Sequence, residues 1–123
     1  MPTDSEINRL LNAMTKATVS NELSWDMVPA PGALESGTND IFPVYLQTKY
    51  KSQVVGLYER RYKDYFSDFD SFLWTSRIGI AFFDQFRRVA WEHEEPSVAL
   101  NNLFQVARDS ASGIDDIFSN LLN

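Results

Sequence analysis

The side chains best suited to chemistry surround the only histidine of the chain, His93, in the stretch "WEHEE". A histidine beside carboxylates offers the nitrogen and oxygen ligands that zinc binds. Neighbouring residues of a strand point to opposite faces, however, so adjacent side chains do not converge on one ion. The chain also lacks cysteine, which removes thiolate ligands and thiol nucleophiles. The sequence therefore predicts no metal site.

The hydroxyl and carboxylate residues form no recognisable catalytic pattern. A Ser/His/Asp arrangement would have to bring His93 to a distant serine, and no G-x-S-x-G elbow is present. Acid–base catalysis needs two carboxyls in differently polar environments around one cavity. Three carboxylate pairs are close in sequence: Asp68 with Asp70, Glu94 with Glu95, and Asp115 with Asp116. The sequence alone brings none of them to a cavity, so we predict no catalytic residue.

Two cofactor-binding patterns are incomplete in this chain. Asp64, Asp68 and Asp70 lack the mid-loop glycine and the terminal glutamate of a calcium-binding EF-hand loop. The five glycines are scattered, and none has the spacing of a phosphate-binding or dinucleotide-binding loop. We therefore predict no cofactor.

A run of aromatic and charged residues, "RRYKDYFSDFDSFLW", raises the possibility of a binding surface. Six of its fifteen residues are aromatic and six are charged. Basic residues between aromatic ones are typical of sheets that bind single-stranded nucleic acid, but tyrosine and arginine are also enriched at protein interfaces. With a net charge of -6, protein binding ranks above nucleic acid. The candidate partner-binding residues are Tyr58, Arg60 and Tyr62, which alternate onto one strand face, and Trp74.

The charge is distributed unevenly along the chain. Residues 1–48 carry a net charge of -4, residues 49–88 carry +3, and residues 89–123 carry -5. We predict that the two acidic ends fold over the basic middle and neutralise it.

The elements that must position these residues can be predicted from periodicity. Thr3 and Glu6 have the spacing of a capping box at the start of a helix, and Leu23, Trp25 and Met27 alternate as in a strand. Residues 30–40 are rich in turn formers and predict a loop. Strands are then predicted over 41–48, 53–62, 71–84 and 87–94, and alternation puts Val89 and Trp91 on one face of the last strand. A turn is expected near 48–52, a connection at 63–70, and a bulge or close approach at Gly79.

Two helices are predicted after the strands. Pro96 begins the first helix, whose apolar face comprises Leu100, Leu103, Phe104, Ala107 and Ala111. Gly113 ends it, and Ser112 with Asp115 has capping-box spacing for a short final helix, which is apolar enough to require a docking surface. The predicted fold class is α+β: an N-terminal helix, about five antiparallel strands, and two C-terminal helices packed on one face.

These patterns support a functional hypothesis with two alternatives. We expect residues 1–123 to form one cytoplasmic domain, because the chain shows neither a signal peptide nor a membrane-spanning run. The main hypothesis is a non-catalytic protein-interaction module, such as a small acidic adaptor or a chaperone-like or immunity-like protein. It would bind a protein partner, or itself, through a sheet face or a groove beside the C-terminal helix. The alternatives are a small enzyme or ligand binder using carboxylates such as Glu59 or Asp84, and a single-stranded nucleic-acid binder.

Overall fold

The computed structural model describes all residues, 1–123, as an α+β fold. Its elements are α1 (Asp4–Val19), β1 (Asp26–Met27), α2 (Gly32–Glu35), β2 (Ile41–Tyr50), β3 (Gln53–Phe66), β4 (Ser71–Phe83), β5 (Val89–His93), α3 (Val98–Ser112) and α4 (Ile114–Leu122). The five strands lie in sequence order, and every neighbouring pair is antiparallel. The predicted fold class, with its N-terminal helix, five-stranded sheet and two C-terminal helices, is confirmed. No helix combines the length and apolarity needed to cross a membrane.

Helices α1 and α3 cover one face of the sheet and enclose the larger core. The predicted capping box is present, with the Thr3 hydroxyl accepting from the Glu6 backbone N–H and the Glu6 carboxylate accepting in return. The core unites buried residues of both helices with Leu46, Leu57 and Ile80 of the central strands. Trp25 is buried in it and donates its indole N–H to the Thr18 hydroxyl at 3.0 Å.

The opposite face of the sheet is partly covered by the segment 28–40, which contains α2. Leu34 of α2 packs with Tyr45, Tyr58 and Phe83 in a second, smaller core. Close approach at Gly79 is confirmed here, because a Cβ at this position would lie 2.5 Å from the Tyr58 ring. The predicted loop over 30–40 therefore includes one helical turn, α2, which covers part of this face of the sheet.

The most prominent departure from the prediction is a two-stranded extension of β3 and β4, which we call the arm (residues 62–75). The pairing of β2 with β3 ends at Arg61, and the pairing of β5 with β4 ends at Ile80. Strands β3 and β4 nevertheless continue together as far as the Phe66–Ser71 pair. The predicted connection over 63–70 is thus wrong for 63–66, which are strand, and the turn comprises only 67–70.

Three local predictions also differ from the structure. The strand around Leu23 is reduced to the two residues of β1. The Ser112–Asp115 capping box does not form, because Gly113 in the left-handed region separates α3 from α4 and the Ser112 hydroxyl donates to the backbone carbonyl of Asp109. A register shift near Phe83 separates Val89 and Trp91, which pack against different cores although alternation predicted one face.

Candidate interaction surface

Two of the four predicted binding residues, Tyr58 and Arg60, lie inside a partly buried ionic cluster. Tyr58 has 0% of its surface exposed, and its hydroxyl donates to a carboxylate oxygen of Glu94 at 2.6 Å. Arg60 donates from Nη1 to Asp40 at 3.0 Å, and its Nε lies 2.9 Å from the same Glu94 oxygen, with the N–H turned out of line. Glu92 approaches Arg60 more loosely, at 3.5 Å. Through these contacts, Tyr58 and Arg60 connect the loop before β2, which holds Asp40, with the end of β5, where Glu94 lies.

The electrostatics of the cluster fit a structural role. Burial raises the pKa of Tyr58 far above its usual value, and the hydrogen bond to Glu94 raises it further. Burial alone would lower the pKa of Arg60, but Tyr58, Glu94 and Asp40 outweigh that effect and raise it. The guanidinium also lies 5.2 Å from the Phe42 ring centre. Both side chains are thus held in their protonated forms and are directed at internal partners.

The other two predicted residues, Tyr62 and Trp74, lie on opposite faces of the arm. Tyr62 shares the face of Arg60, and its hydroxyl accepts from Arg77 Nε at 2.6 Å. Trp74 is paired with Lys63 and faces the helix side of the sheet, where Lys63 Nζ lies 5.3 Å from its ring centre. The structure therefore does not gather the four candidate residues into one patch.

The arm exposes most of its large apolar side chains. Those left open are Tyr65, Phe66, Phe69, Phe72, Leu73 and Trp74. Phe72 is 67% exposed although its ring lies 5.4 Å from that of Tyr65, whose hydroxyl donates to Asp70 across the turn. Tyr65, Phe72 and Trp74 share one face of the arm, Phe66 and Leu73 lie on the other face, and Phe69 lies in the turn. Exposed apolar surface of this extent is typical of an interaction site.

We call the side of the arm that bears Lys63, Tyr65, Phe72 and Trp74 its helix-side face. Alternation puts these residues on the same side of the sheet as Leu57 and Ile80, which contact the helices. Arg61 stands at the base of this face, 6.0 Å from the Trp74 ring centre. The resulting surface is a row of aromatic rings bordered by two cations.

The basic middle of the chain is neutralised only in part. The acidic ends pair with Arg60 alone, and Arg88 pairs with Asp84 inside the middle segment itself. Six of its cations make no ion pair within 4.0 Å: Lys49, Lys51, Arg61, Lys63, Arg77 and Arg87. Lys49 and Lys51 lie at the β2–β3 turn, whereas Arg61, Lys63 and Arg77 lie near the arm, at the other end of the sheet. The unpaired positive charge is therefore divided between the two ends.

A second exposed apolar surface is the face of α4. Ile114, Ile117, Phe118, Leu121 and Leu122 recur at the spacing of one helix face. None of the α4 residues is buried, and Phe118 is 58% exposed. Helix α4 therefore leaves most of its apolar face exposed in its own chain.

An open cleft of about 600 Å³ lies between α1 and the sheet. Its apolar lining includes Ile7, Leu10 and Trp91, and Arg9 and Lys51 also line it. The two carboxylates considered for an enzyme, Glu59 and Asp84, line other, smaller depressions. Backbone N–H groups of Arg88 and Phe86 donate to Asp84 and lower its pKa, the opposite of what a general acid requires.

Nowhere in the chain do three or more histidine or carboxylate side chains converge as metal ligands would. Comparison of the chain with protein-family models, with curated proteins and with solved structures gives no match. Function is therefore inferred from the surfaces described above. The sequence did not predict the arm, because Asp64, Ser67 and Asp68 all favour turns. The signal for it was a short turn, at 67–70, between two alternating runs, which is the pattern of a β-hairpin.

Proposed function

We propose that the protein is a non-catalytic interaction module that binds a protein surface through its arm. The observation that supports this most directly is the arm itself, which presents six exposed apolar side chains on a two-stranded hairpin. An adaptor, a chaperone-like protein or an inhibitor fits this description, since each acts by covering part of another protein.

The helix-side face of the arm has the composition of an energetically important contact. Tryptophan, tyrosine and arginine dominate such contacts, and the two aromatic residues bury a large area for few rotatable bonds. The Tyr65–Phe72 contact and the cations around Trp74 hold the rings in place before binding, which reduces the entropy lost on association. Arg61 and Lys63 carry no ion pair, so an acidic partner surface would complement them.

A photo-crosslinking experiment tests this function while the partner is still unidentified. A photoreactive phenylalanine analogue placed at Phe72 should give one discrete protein adduct in cells at native expression level. The same analogue at Phe86 is the matched control, because Phe86 is 66% exposed and lies in the turn before β5, outside the arm. The proposal fails if positions 69, 72 and 74 give no adduct beyond that of the control.

The α1 cleft supports a second candidate function, the binding of a small apolar molecule with an anionic end. Its volume of about 600 Å³ lies within the range of ligand sites, roughly 300 to 1,000 Å³, and Arg9 and Lys51 could contact the anion. Titration calorimetry with dodecanoate should show saturable binding that Ala13→Phe, in the cleft lining, abolishes. Absence of saturable heat with the wild-type chain would eliminate this candidate.

A further inference from the structure

We propose that the occupant of the arm is α4 of a second copy of the same chain, so that two copies form a reciprocal dimer. This inference rests on the proposed function, because it names the partner of the same arm.

Helix α4 leaves most of its apolar face uncovered by its own chain. It has nine residues, five of them apolar along one face, and none is buried. Isolated helices shorter than about 12 to 15 residues are marginal in water, because most helical stability comes from packing of the apolar face. A surface that covers Ile117, Phe118 and Leu121 would satisfy this requirement.

Helix α4 cannot reach the arm of its own chain without rearranging the fold. The start of α3 lies at the base of the arm, where Leu100 and Asn101 border a depression shared with Glu59 and Ile78. Its 15 residues then lead away from the arm over roughly 22 Å. Near its end, the Ser110 hydroxyl accepts from the Trp25 backbone N–H, beside β1. Since α4 begins at that far end, the arm it can contact belongs to another copy.

The two surfaces agree in size. The nine residues of α4 extend over about 14 Å. Each strand of the arm contributes five paired residues, 62–66 and 71–75, which extend over about 17 Å. The helix therefore fits within the length of the arm, on the face that bears Tyr65, Phe72 and Trp74.

The two surfaces also agree in charge. The first turn of α4 carries Asp115 and Asp116, and the helix has no basic residue. The helix-side face of the arm is bordered by Arg61 and Lys63, neither of which has an ion pair. Docking of α4 on the arm would bring these opposite charges together and leave the rings in contact with Ile117 and Phe118.

A reciprocal contact limits the assembly to two copies. Each copy has one arm and one α4, so a two-fold arrangement uses both surfaces of both copies and leaves none for further addition. Two such contacts are also needed to approach the roughly 1,000 Å² or more that a specific interface buries.

Sedimentation equilibrium of the purified full chain tests the proposal. The wild type should be a dimer, and Phe118→Asp in α4 and Phe72→Asp in the arm should each raise the dissociation constant about a hundredfold or more. Phe86→Asp is the matched control and should leave it unchanged. A wild type that is monomeric at the highest attainable concentration, or a dimer unaffected by both variants, would overturn the inference.

A charge exchange separates a specific contact from damage to the fold. Lys63→Glu and Asp115→Lys should each weaken dimerisation about tenfold, and the double variant should recover most of the lost affinity. Two weakened single variants without recovery in the double variant would contradict the pairing of α4 with the arm.

The crosslinking result distinguishes this inference from the proposed function. An adduct from position 72 to residues 114–122 of an isotopically distinct copy supports both. An adduct to a different protein, with a monomeric purified chain, overturns the dimer and leaves the proposed function standing. Absence of any arm adduct removes both.

Discussion

Tyr58 and Arg60 show how residue types that favour binding surfaces can be used inside a fold. Alternation correctly placed both on one strand face, but alternation contains no information on what covers that face. The covering segment comes from residues 28–40, and the carboxylates that pair with Arg60 come from Asp40 and from the end of β5. The position of these partners depends on tertiary packing, which a single strand pattern does not encode.

The buried Tyr58 hydroxyl predicts a specific loss of stability at alkaline pH. The pKa of Tyr58 in the folded chain lies above the ordinary value of 10.0, so the folded state retains a proton that the unfolded state releases. Its contribution is fully present below about pH 10 and is lost above it, by up to about 1.4 kcal/mol per pH unit. Urea unfolding between about pH 8 and 12 should show a shallower decline for Tyr58→Phe than for the wild type. Parallel declines would show that Tyr58 ionises normally.

Gly79 provides a second test at single-residue scale. A Cβ at Gly79 would overlap the Tyr58 ring, whereas nothing lies within 4 Å of a Cβ at Gly32. Gly79→Ala should therefore lower the free energy of unfolding by about 1 to 3 kcal/mol through overpacking. Gly32→Ala should change it by less than about 1 kcal/mol. Equal urea midpoints for the two variants would contradict the close approach.

At the scale of elements, one of the two predicted capping boxes formed, and the signals for strand pairing gave the strands but not their full extent. The Thr3–Glu6 capping box is a short-range interaction and was located to the residue. The extent of β3 was not, because Asp64 has turn chemistry and its strand conformation depends on pairing with Leu73. Likewise, the sequence showed that α4 is amphipathic but not that its apolar face stays largely exposed in its own chain.

Removal of α4 tests whether this helix contributes to the fold of its own chain. Since none of its residues is buried, truncation after Gly113 should change the free energy of unfolding by less than about 1 kcal/mol, as surface changes generally do. Leu103→Ala in α3, a fully buried residue, is the comparison and should cost about 2 to 5 kcal/mol. The measurement is urea unfolding at a protein concentration low enough to keep the chain monomeric. A truncation as costly as Leu103→Ala would show that α4 packs within the monomer.

At the scale of the whole molecule, the arm extends from one end of the sheet, whereas α4 begins at the end of α3 that lies beside β1. The first core is formed by the helices and the central strands, and the second core is formed where the segment 28–40 packs on the sheet. Neither core includes the arm or α4. The sequence shows the aromatic and acidic residues of the arm and of α4. It does not show how far apart the two surfaces lie, because that distance depends on the direction of α3.

Reciprocal dimerisation predicts that stability depends on protein concentration. Association stabilises the folded state by mass action. Above the dissociation constant, each tenfold rise in concentration should add about 0.7 kcal/mol per chain, half of the 1.4 kcal/mol that corresponds to a factor of ten, because two chains share each interface. With a urea dependence of about 1 to 3 kcal/mol/M, the unfolding midpoint should rise by roughly 0.2 to 0.7 M. Phe118→Asp should remove this dependence and retain the low-concentration midpoint. A wild-type midpoint that stays constant over a hundredfold range of concentration would show that the arm and α4 of two copies do not meet.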